Sequence, residues 1–186
     1  MTQIKINHNY ELILLLLKKE MHGRELSKEL HTSLTRVQNI LNELRNCNVI
    51  DYRTEGRNHV FFIKKNLVSK AFVFSAENYK LAKLLRKYTF LEPLFKDLTE
   101  KHPKKMIVLF GSYAKFIPKT ESDIDLFIET NDKKVKENAE LLNNLLSVKI
   151  GEFNPNDLLI KEIIKNHVII QGQEEFYEKR GFFKQT

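Results

Sequence analysis

Tryptophan is absent from this chain of 186 residues, and cysteine occurs once, at position 47. A single cysteine excludes an intramolecular disulfide, and because Cys47 lies in an apolar-periodic stretch we expect it to be a buried, unreactive thiol. Six glycines and four prolines are too few for a low-complexity or collagen-like chain. The chain is therefore expected to fold around hydrophobic cores of its own.

Long apolar runs are also absent. The run that ends at Leu17 is followed directly by Lys18, Lys19 and Glu20. It is far shorter than the roughly 20 residues that cross a bilayer. It also lacks the small-residue cleavage site of a secretion signal. The sequence therefore predicts a cytoplasmic protein in a reducing compartment, with no membrane partner.

Acidic residues are scarce in one part of the chain. The formal charge is +7 and the sequence pI is about 9.3. Residues 1–70 carry 12 Lys and Arg against 7 Asp and Glu, whereas residues 106–186 carry 11 against 13. A basic segment favours nucleic acid as a partner, and an acidic one favours metal ions.

The first 66 residues show the periodicity of three helices and a hairpin. The helices are predicted at Tyr10–Met21, at Arg24–Leu30 and from Leu34 to about Asn46, with Ser33 as the N-cap of the third. Two strand-like runs, 49–54 and 59–64, then flank a Gly-containing turn. Three helices followed by a hairpin predict a winged helix-turn-helix domain over residues 1–66.

The exposed face of the third predicted helix is rich in hydrogen-bond donors. Such side chains suit phosphates and base edges, so we predict DNA contacts from the helix and from the hairpin. The residues are Ser33, Thr35, Arg36, Gln38, Asn39 and Arg57. Because winged helices also serve as protein–protein modules, the fold alone leaves both uses open.

Residues 67–104 predict a helical connector of two helices with a break near 88–90. Beyond it strands and helices alternate, which is typical of α/β layering. The fold class predicted for residues 105–186 is an α/β domain with a mixed sheet. Its strands are expected at 106–110, 124–128, 147–153 and 167–170, and its helices at 132–146, from 155 and at 173–179.

The stretch that carries chemistry joins Gly111-Ser112 to Asp123 and Asp125, with ten residues between the two pairs. Glycine lets the backbone approach a phosphate closely, and amides at a helix N-terminus point towards it. The two aspartates stand at i and i+2 of a strand and therefore face the same side. Adjacent carboxylates repel unless a cation joins them, and Mg²⁺ suits such oxygen ligands. The alternative is a pair of solvated charges, although Asp is disfavoured in strands.

This string resembles the signature of the nucleotidyltransferase superfamily that includes DNA polymerase beta, and within it the minimal nucleotidyltransferases of bacteria and archaea. The resemblance covers residues about 90 to 180. It implies transfer of a nucleoside monophosphate from a Mg²⁺-bound NTP, expected to be ATP, to a hydroxyl of protein or RNA. Asp123 and Asp125 would be the catalytic metal ligands, and Gly111, Ser112 and Lys115 would hold the nucleotide. The resemblance also implies toxin–antitoxin biology with a small helical protein partner.

Two positions depart from the family pattern. Phe116 stands where the family often has glycine. The third carboxylate that active members carry on the following strand is represented only by Glu152, near the far end of 147–153. Either Glu152 substitutes as a metal ligand or the third acid is missing. In the second case the chain is a DNA-binding transcriptional regulator that binds nucleotide without turnover. A purely structural interaction protein is the remaining alternative.

Overall fold

The computed structural model describes residues 7–184. Of these residues, the first of two compact units comprises 7–79 together with Phe183 and Lys184, and the second spans Lys80–Phe182. The division falls inside the segment 67–104, and the borders predicted after residues 66 and 104 remain predictions. Within the described residues, no helix is long and apolar enough to cross a lipid bilayer.

The first unit combines three short helices with a three-stranded antiparallel sheet of order β1-β3-β2. The predicted hairpin is confirmed as β2 and β3, and it turns at Gly56, whose φ of +61° favours glycine. The elements in chain order are α1 (His8–Leu16), β1 (Met21–His22), α2 (Gly23–Glu29), α3 (Leu34–Asn46), β2 (Ile50–Glu55) and β3 (Asn58–Ile63).

The prediction of a helix over Tyr10–Met21 is wrong at its C-terminal end. The helix α1 ends at Leu16, and β1 pairs in antiparallel register with β3, Met21 opposite Phe61. Met21 is 2% exposed. The pairing gives the backbone groups of this short segment hydrogen-bond partners, and the Met21 side chain lies in the core.

The ends of α3 follow from its sequence. The Ser33 hydroxyl accepts a hydrogen bond from the Arg36 backbone N–H at 3.3 Å, which confirms the predicted N-cap. The stripe Val37, Leu41 and Leu44 is buried. Cys47 is the C-cap and is exposed, so the prediction of a buried thiol is wrong. The reason is that the chain leaves the helix before its buried stripe reaches position 47.

The second unit is built around a four-stranded mixed sheet, preceded by two helices that confirm the predicted break near 88–90. The first of them, α4, begins in the first unit and ends in the second. The elements are α4 (Leu67–Lys87), α5 (Leu91–Lys101), β4 (Ile107–Leu109), α6 (Gly111–Ala114), β5 (Ile124–Glu129), α7 (Lys133–Glu140), β6 (Leu146–Gly151), α8 (Leu158–Lys165), β7 (Val168–Gln171) and α9 (Gln173–Lys179).

Two helices of this unit are shorter than predicted. The Asp132 carboxylate caps α7 by accepting from the Lys134 N–H at 2.9 Å, but the helix ends at Glu140. The Asn143 side chain then accepts from the Leu145 N–H at 2.8 Å and turns the chain towards β6. The helix predicted from 155 begins three residues later, with Asp157 at its N-cap.

The sheet order is β6-β5-β4-β7, with β5 and β6 parallel and the two pairs made by β4 antiparallel. One face of β5 contributes Ile124, Leu126 and Ile128 to the main core, together with residues of α4 and α5. The other face carries Phe127, whose ring lies 6.1 Å from that of Phe153. Since side chains alternate along a strand, Asp125 lies on the Phe127 face. This alternation positions one carboxylate outside the main core.

Candidate functional site

The site begins where β4 runs into α6. Gly111 opens the helix with a φ of +70°, a conformation that L side chains rarely adopt. Just before it, the Phe110 N–H donates to the Asp125 carbonyl oxygen at 2.9 Å. This bond extends the β4–β5 ladder by one residue and holds the turn at the start of β5. The Gly-Ser turn and the aspartate strand are therefore fixed to one another by backbone pairing.

The Asp125 carboxylate is packed directly against Gly111. A Cβ placed on Gly111 would stand 2.9 Å from Cγ of Asp125 and closer still to one carboxylate oxygen. Such a contact is too short for any real side chain, so only glycine leaves room for the carboxylate at this point. Sequence reasoning connected these two residues through their spacing, and the structure brings them into contact.

Asp123 and Asp125 form an electrostatically unfavourable pair. Asp125 is half-buried, and Asp123, which directly precedes β5, is exposed. Burial raises the pKa of the Asp125 carboxyl above its ordinary value, and the charge of Asp123 raises it further. Lys149 and Lys115 act in the opposite direction, and Glu162 adds to the rise. The causes of this raised pKa are burial and neighbouring charges, with no hydrogen bond among them.

The chemistry of the donor set fits a hard divalent cation only in part. Within residues 7–184, no three His, Cys, Asp or Glu side chains stand close enough together to hold a metal ion by themselves. Two carboxylates leave most of an octahedral shell open, and Mg²⁺ commonly completes its shell with waters and substrate phosphates. Asp123 and Asp125 therefore fit Mg²⁺ that arrives together with a polyphosphate.

The strand β6 brings a lysine, rather than a carboxylate, to this face of the sheet. Its parallel register sets Ser147 beside Asp125 and Lys149 beside Phe127. Glu152 follows the end of β6, is exposed, and lies five residues beyond Ser147. At about 3.3 Å per residue this is roughly 16 Å along the strand. The structure thus brings Lys149, and not Glu152, towards Asp125.

Lys115 follows α6 as its C-cap and is held by an acid that sequence reasoning missed. Its Nζ lies 3.3 Å from Oε1 of Glu162, on α8. Ile160 and Ile163 of that helix are buried while Glu162 is exposed. Helical periodicity predicts this outward direction, but no local signal tells that α8 reaches Lys115.

Phe116 has a left-handed backbone, with φ +61°. This conformation explains why glycine is suited to the position. The ring of Phe116 packs against the main core, and its carbonyl oxygen accepts a hydrogen bond from Lys87 Nζ at 2.9 Å. These contacts hold a bulky residue in a conformation that costs of order 1–3 kcal/mol.

The residues predicted to contact DNA are all exposed on the first unit. Gln38, Asn39 and Arg57 line a groove of about 860 Å³ between α3 and the β2–β3 hairpin. Arg36 lines a second, smaller groove that Asn39 shares, beside the start of α1. Four of the six predicted residues therefore line these two grooves, whereas Ser33 and Thr35 are exposed but line neither groove.

The larger groove also contains cationic and aromatic side chains beyond the six residues predicted to contact DNA. The Arg45 guanidinium lies over the Tyr52 ring, 4.5 Å from its centroid, and the Tyr52 and His59 ring centroids are 4.1 Å apart. Arg24 and Lys28 also line it. Outside the groove lining, Arg53 forms ion pairs with Glu20 and Glu55, so its charge is largely compensated.

Comparison with known proteins identifies the second unit. The family model described as "Polymerase beta, Nucleotidyltransferase" matches residues 94–176. "Putative protein adenylyltransferase MJ0128" of Methanocaldococcus jannaschii is 42% identical over 84 residues, which cover 43% of this chain and 80% of that relative. "Putative protein adenylyltransferase MJ1217" of the same organism is 33% identical over 100 residues, covering 52% of this chain and 90% of that relative. The matched region holds both aspartates and the glycine turn, and through it the chain belongs to the polymerase beta nucleotidyltransferase family.

Proposed function

We propose that the second unit binds an NTP together with Mg²⁺ and transfers its nucleoside monophosphate to an acceptor hydroxyl, releasing pyrophosphate. The observation that carries the proposal is the contact of the Asp125 carboxylate with Gly111, beside Asp123. A phosphate-binding turn and a carboxylate pair with an unmet need for a cation are the two parts that phosphoryl transfer requires.

In this reaction the chain supplies positioning and charge. The backbone at Gly111 and Ser112 holds the phosphates, since the first amides of a helix have no partner within it. Asp123 and Asp125 would hold Mg²⁺, which when bound neutralises the charge that develops on the transferred phosphoryl group. The oxygen of the acceptor hydroxyl attacks the α-phosphorus and loses its proton to water, while the bond between the α-phosphorus and the pyrophosphate oxygen breaks. Lys115, which follows the same turn, provides a further cation for the phosphates.

The names of the relatives suggest which nucleotide base and which acceptor to propose. Those in Methanocaldococcus jannaschii carry protein adenylyltransferase in their names, so we propose ATP as the donor and a protein hydroxyl as the first acceptor to test, before RNA. A small helical protein partner and a toxin–antitoxin role belong to the same proposal. We also propose a cytoplasmic location, and the single cysteine, which excludes an intramolecular disulfide, supports it.

Labelled nucleotide tests the transfer. The full chain is incubated with Mg²⁺ and ATP labelled at either the α- or the γ-phosphate, alone and with an extract, and labelled protein and RNA are separated. Transfer of a monophosphate moves the α-label only. Asp125→Asn is the control, because it keeps the size of the side chain and removes the charge. Label that moves from the γ-position, or equally well with Asp125→Asn, contradicts the proposal.

Nucleotide binding without turnover is a second candidate, and Lys149 favours it. An ammonium group on the Asp125 face of β6 cannot ligate a metal ion or accept the hydroxyl proton. Under this candidate, Lys149→Asp should raise transfer by about the 10²–10⁴ that general-base help contributes. Ser147→Asp tests the neighbouring position on the same face. If wild-type protein already transfers and Lys149→Asp slows it, the second candidate is wrong.

We also propose that the first unit is a winged helix that binds duplex DNA. The order α1-β1-α2-α3-β2-β3 with a three-stranded antiparallel sheet supports the first part. The groove between α3 and the hairpin supports the second, since Arg24, Lys28, Arg45 and Arg57 line it against the single acid Glu25. Glu25 is itself paired with Lys19. The net positive charge of this surface suits a phosphate backbone.

A further inference from the structure

The ion pair between Lys115 and Glu162 joins two elements that the chain keeps 47 residues apart. The pair is 3.3 Å long, and its side chains retain 36% and 54% of their exposure. Lys115 comes three residues after Ser112, on the segment proposed to hold the phosphates. An exposed pair of this kind is weak and therefore exchanges partners readily.

A nucleotide bound in this site would change the electrostatic surroundings of Lys115 and Glu162. A triphosphate adjacent to Gly111 brings several negative charges close to Lys115. The same charges repel Glu162, whose influence already reaches Asp125. The ammonium group of Lys115 carries one positive charge, and a carboxylate paired with it offsets part of the attraction that it offers to the phosphates.

We propose that Glu162 competes with the triphosphate for Lys115, so that nucleotide binding breaks the Lys115–Glu162 ion pair and Glu162 lowers the affinity of the site for nucleotide. This inference rests on the proposed nucleotide site and extends it to a residue on α8. Lys115 recognises the triphosphate by its charge alone. Glu162 should therefore lower the affinity for any polyphosphate, with or without a nucleoside base.

A double-mutant cycle in the full chain tests the competition. The affinity for ATP with Mg²⁺ is measured by calorimetry for wild type, Glu162→Gln, Lys115→Met and the double variant. Glu162→Gln should tighten binding about two- to fivefold, the range expected for an exposed ion pair. Lys115→Met should weaken binding. In the Lys115→Met background the effect of Glu162→Gln should shrink, because the pair no longer exists and only the direct repulsion between Glu162 and the phosphates remains.

Glu152→Gln is the matched control. It is the same substitution at another exposed glutamate of this unit, and it should leave the affinity unchanged. Inorganic tripolyphosphate should show the same ratio between wild type and Glu162→Gln as ATP does, since the competition concerns phosphates only. Circular dichroism of each variant verifies that the fold is retained.

Three results overturn the inference while leaving the nucleotide site intact. Glu162→Gln binds ATP more weakly than wild type, or it behaves like Glu152→Gln, or its effect persists undiminished in the Lys115→Met background. A wild-type chain that binds neither ATP nor tripolyphosphate overturns the inference and the proposed function together. The two failures are therefore distinguishable.

Discussion

The carboxylate of Asp125 occupies the space in which a side chain at position 111 would begin. An ideal Cβ on Gly111 would be 2.9 Å from Cγ of Asp125. Gly111 and Asp125 are 14 positions apart in the chain, and the Phe110–Asp125 backbone hydrogen bond of 2.9 Å fixes them together. The glycine of the turn therefore has two reasons to be there: its left-handed φ and the carboxylate that leaves it no room.

Gly111→Ala should separate these two effects. The left-handed backbone costs an L side chain about 1–2 kcal/mol of stability, and the collision displaces the Asp125 carboxylate. Gly56→Ala is the matched control, because Gly56 has a φ of +61° but nothing within 4 Å of an added Cβ. Thermal unfolding should show a lower melting temperature than wild type for both variants.

Calorimetry with ATP and Mg²⁺ then distinguishes the two glycines. Gly111→Ala should lose nucleotide binding, and Gly56→Ala should keep it. Equal affinities for ATP in the two variants would show that the contact between Gly111 and Asp125 does not matter to the site.

The raised pKa of Asp125 predicts a dependence of stability on pH. Its folded pKa lies above the ordinary value of 3.8, because of burial and then of Asp123. The folded chain therefore retains a proton where the unfolded chain has lost it, and stability falls as pH rises from 3.8 through the folded pKa. The Asp125→Asn variant has no carboxyl group at this position, so its stability should not show this fall with rising pH.

Thermal unfolding in metal-free buffer measures this difference. Asp125→Asn should be the more heat-stable protein near neutral pH, and the gap to wild type should close below pH 3.8. Asp123→Asn should also stabilise the chain, by removing the neighbouring charge. An Asp125→Asn protein that is less stable than wild type at neutral pH would mean that the carboxylate is satisfied within the fold.

The proposed DNA surface predicts that the affinity for DNA depends on salt and that Arg36 and Arg57 each contribute to it. Arg36→Ala and Arg57→Ala should each weaken binding to duplex DNA and reduce the slope of log affinity against log salt by about 1. Fluorescence anisotropy of a labelled duplex at several salt concentrations measures both quantities. Lys96→Ala, which removes one exposed charge from α5 in the second unit, should change neither.

Because Arg36 and Arg57 line different grooves, their separate effects also indicate which surface faces the duplex. Retention on DNA that is unchanged in both variants would favour a protein partner for the first unit.

Local patterns in the sequence predict much of this structure. The hairpin around Gly56, the N-cap at Ser33 and the break between α4 and α5 follow from short-range signals. The contact of Gly111 with Asp125 follows from a motif of fixed spacing. In each case the residues that decide the outcome are near neighbours in the chain, or belong to one signature.

The features that sequence could not supply depend on long-range packing. Met21–His22 is too short to carry a strand pattern, and it becomes β1 only because β3, about 40 residues later, offers an edge. The position of Lys149 beside Phe127, on the face of the sheet that carries Asp125, depends on the register of β5 and β6. Glu162 reaches Lys115 only through the position of α8. None of these relationships leaves a periodic or local trace in the sequence.

The central claim is that Gly111, Asp123 and Asp125 form a site for a Mg²⁺-bound nucleoside triphosphate. Calorimetric titration of the full chain with ATP, in Mg²⁺ and again in EDTA, tests it most directly. The account predicts that wild type binds ATP in Mg²⁺, that binding weakens strongly in EDTA, and that Asp125→Asn abolishes the difference between the two conditions. Wild-type protein that binds no nucleotide in Mg²⁺, or binds it equally well in EDTA, would contradict the account.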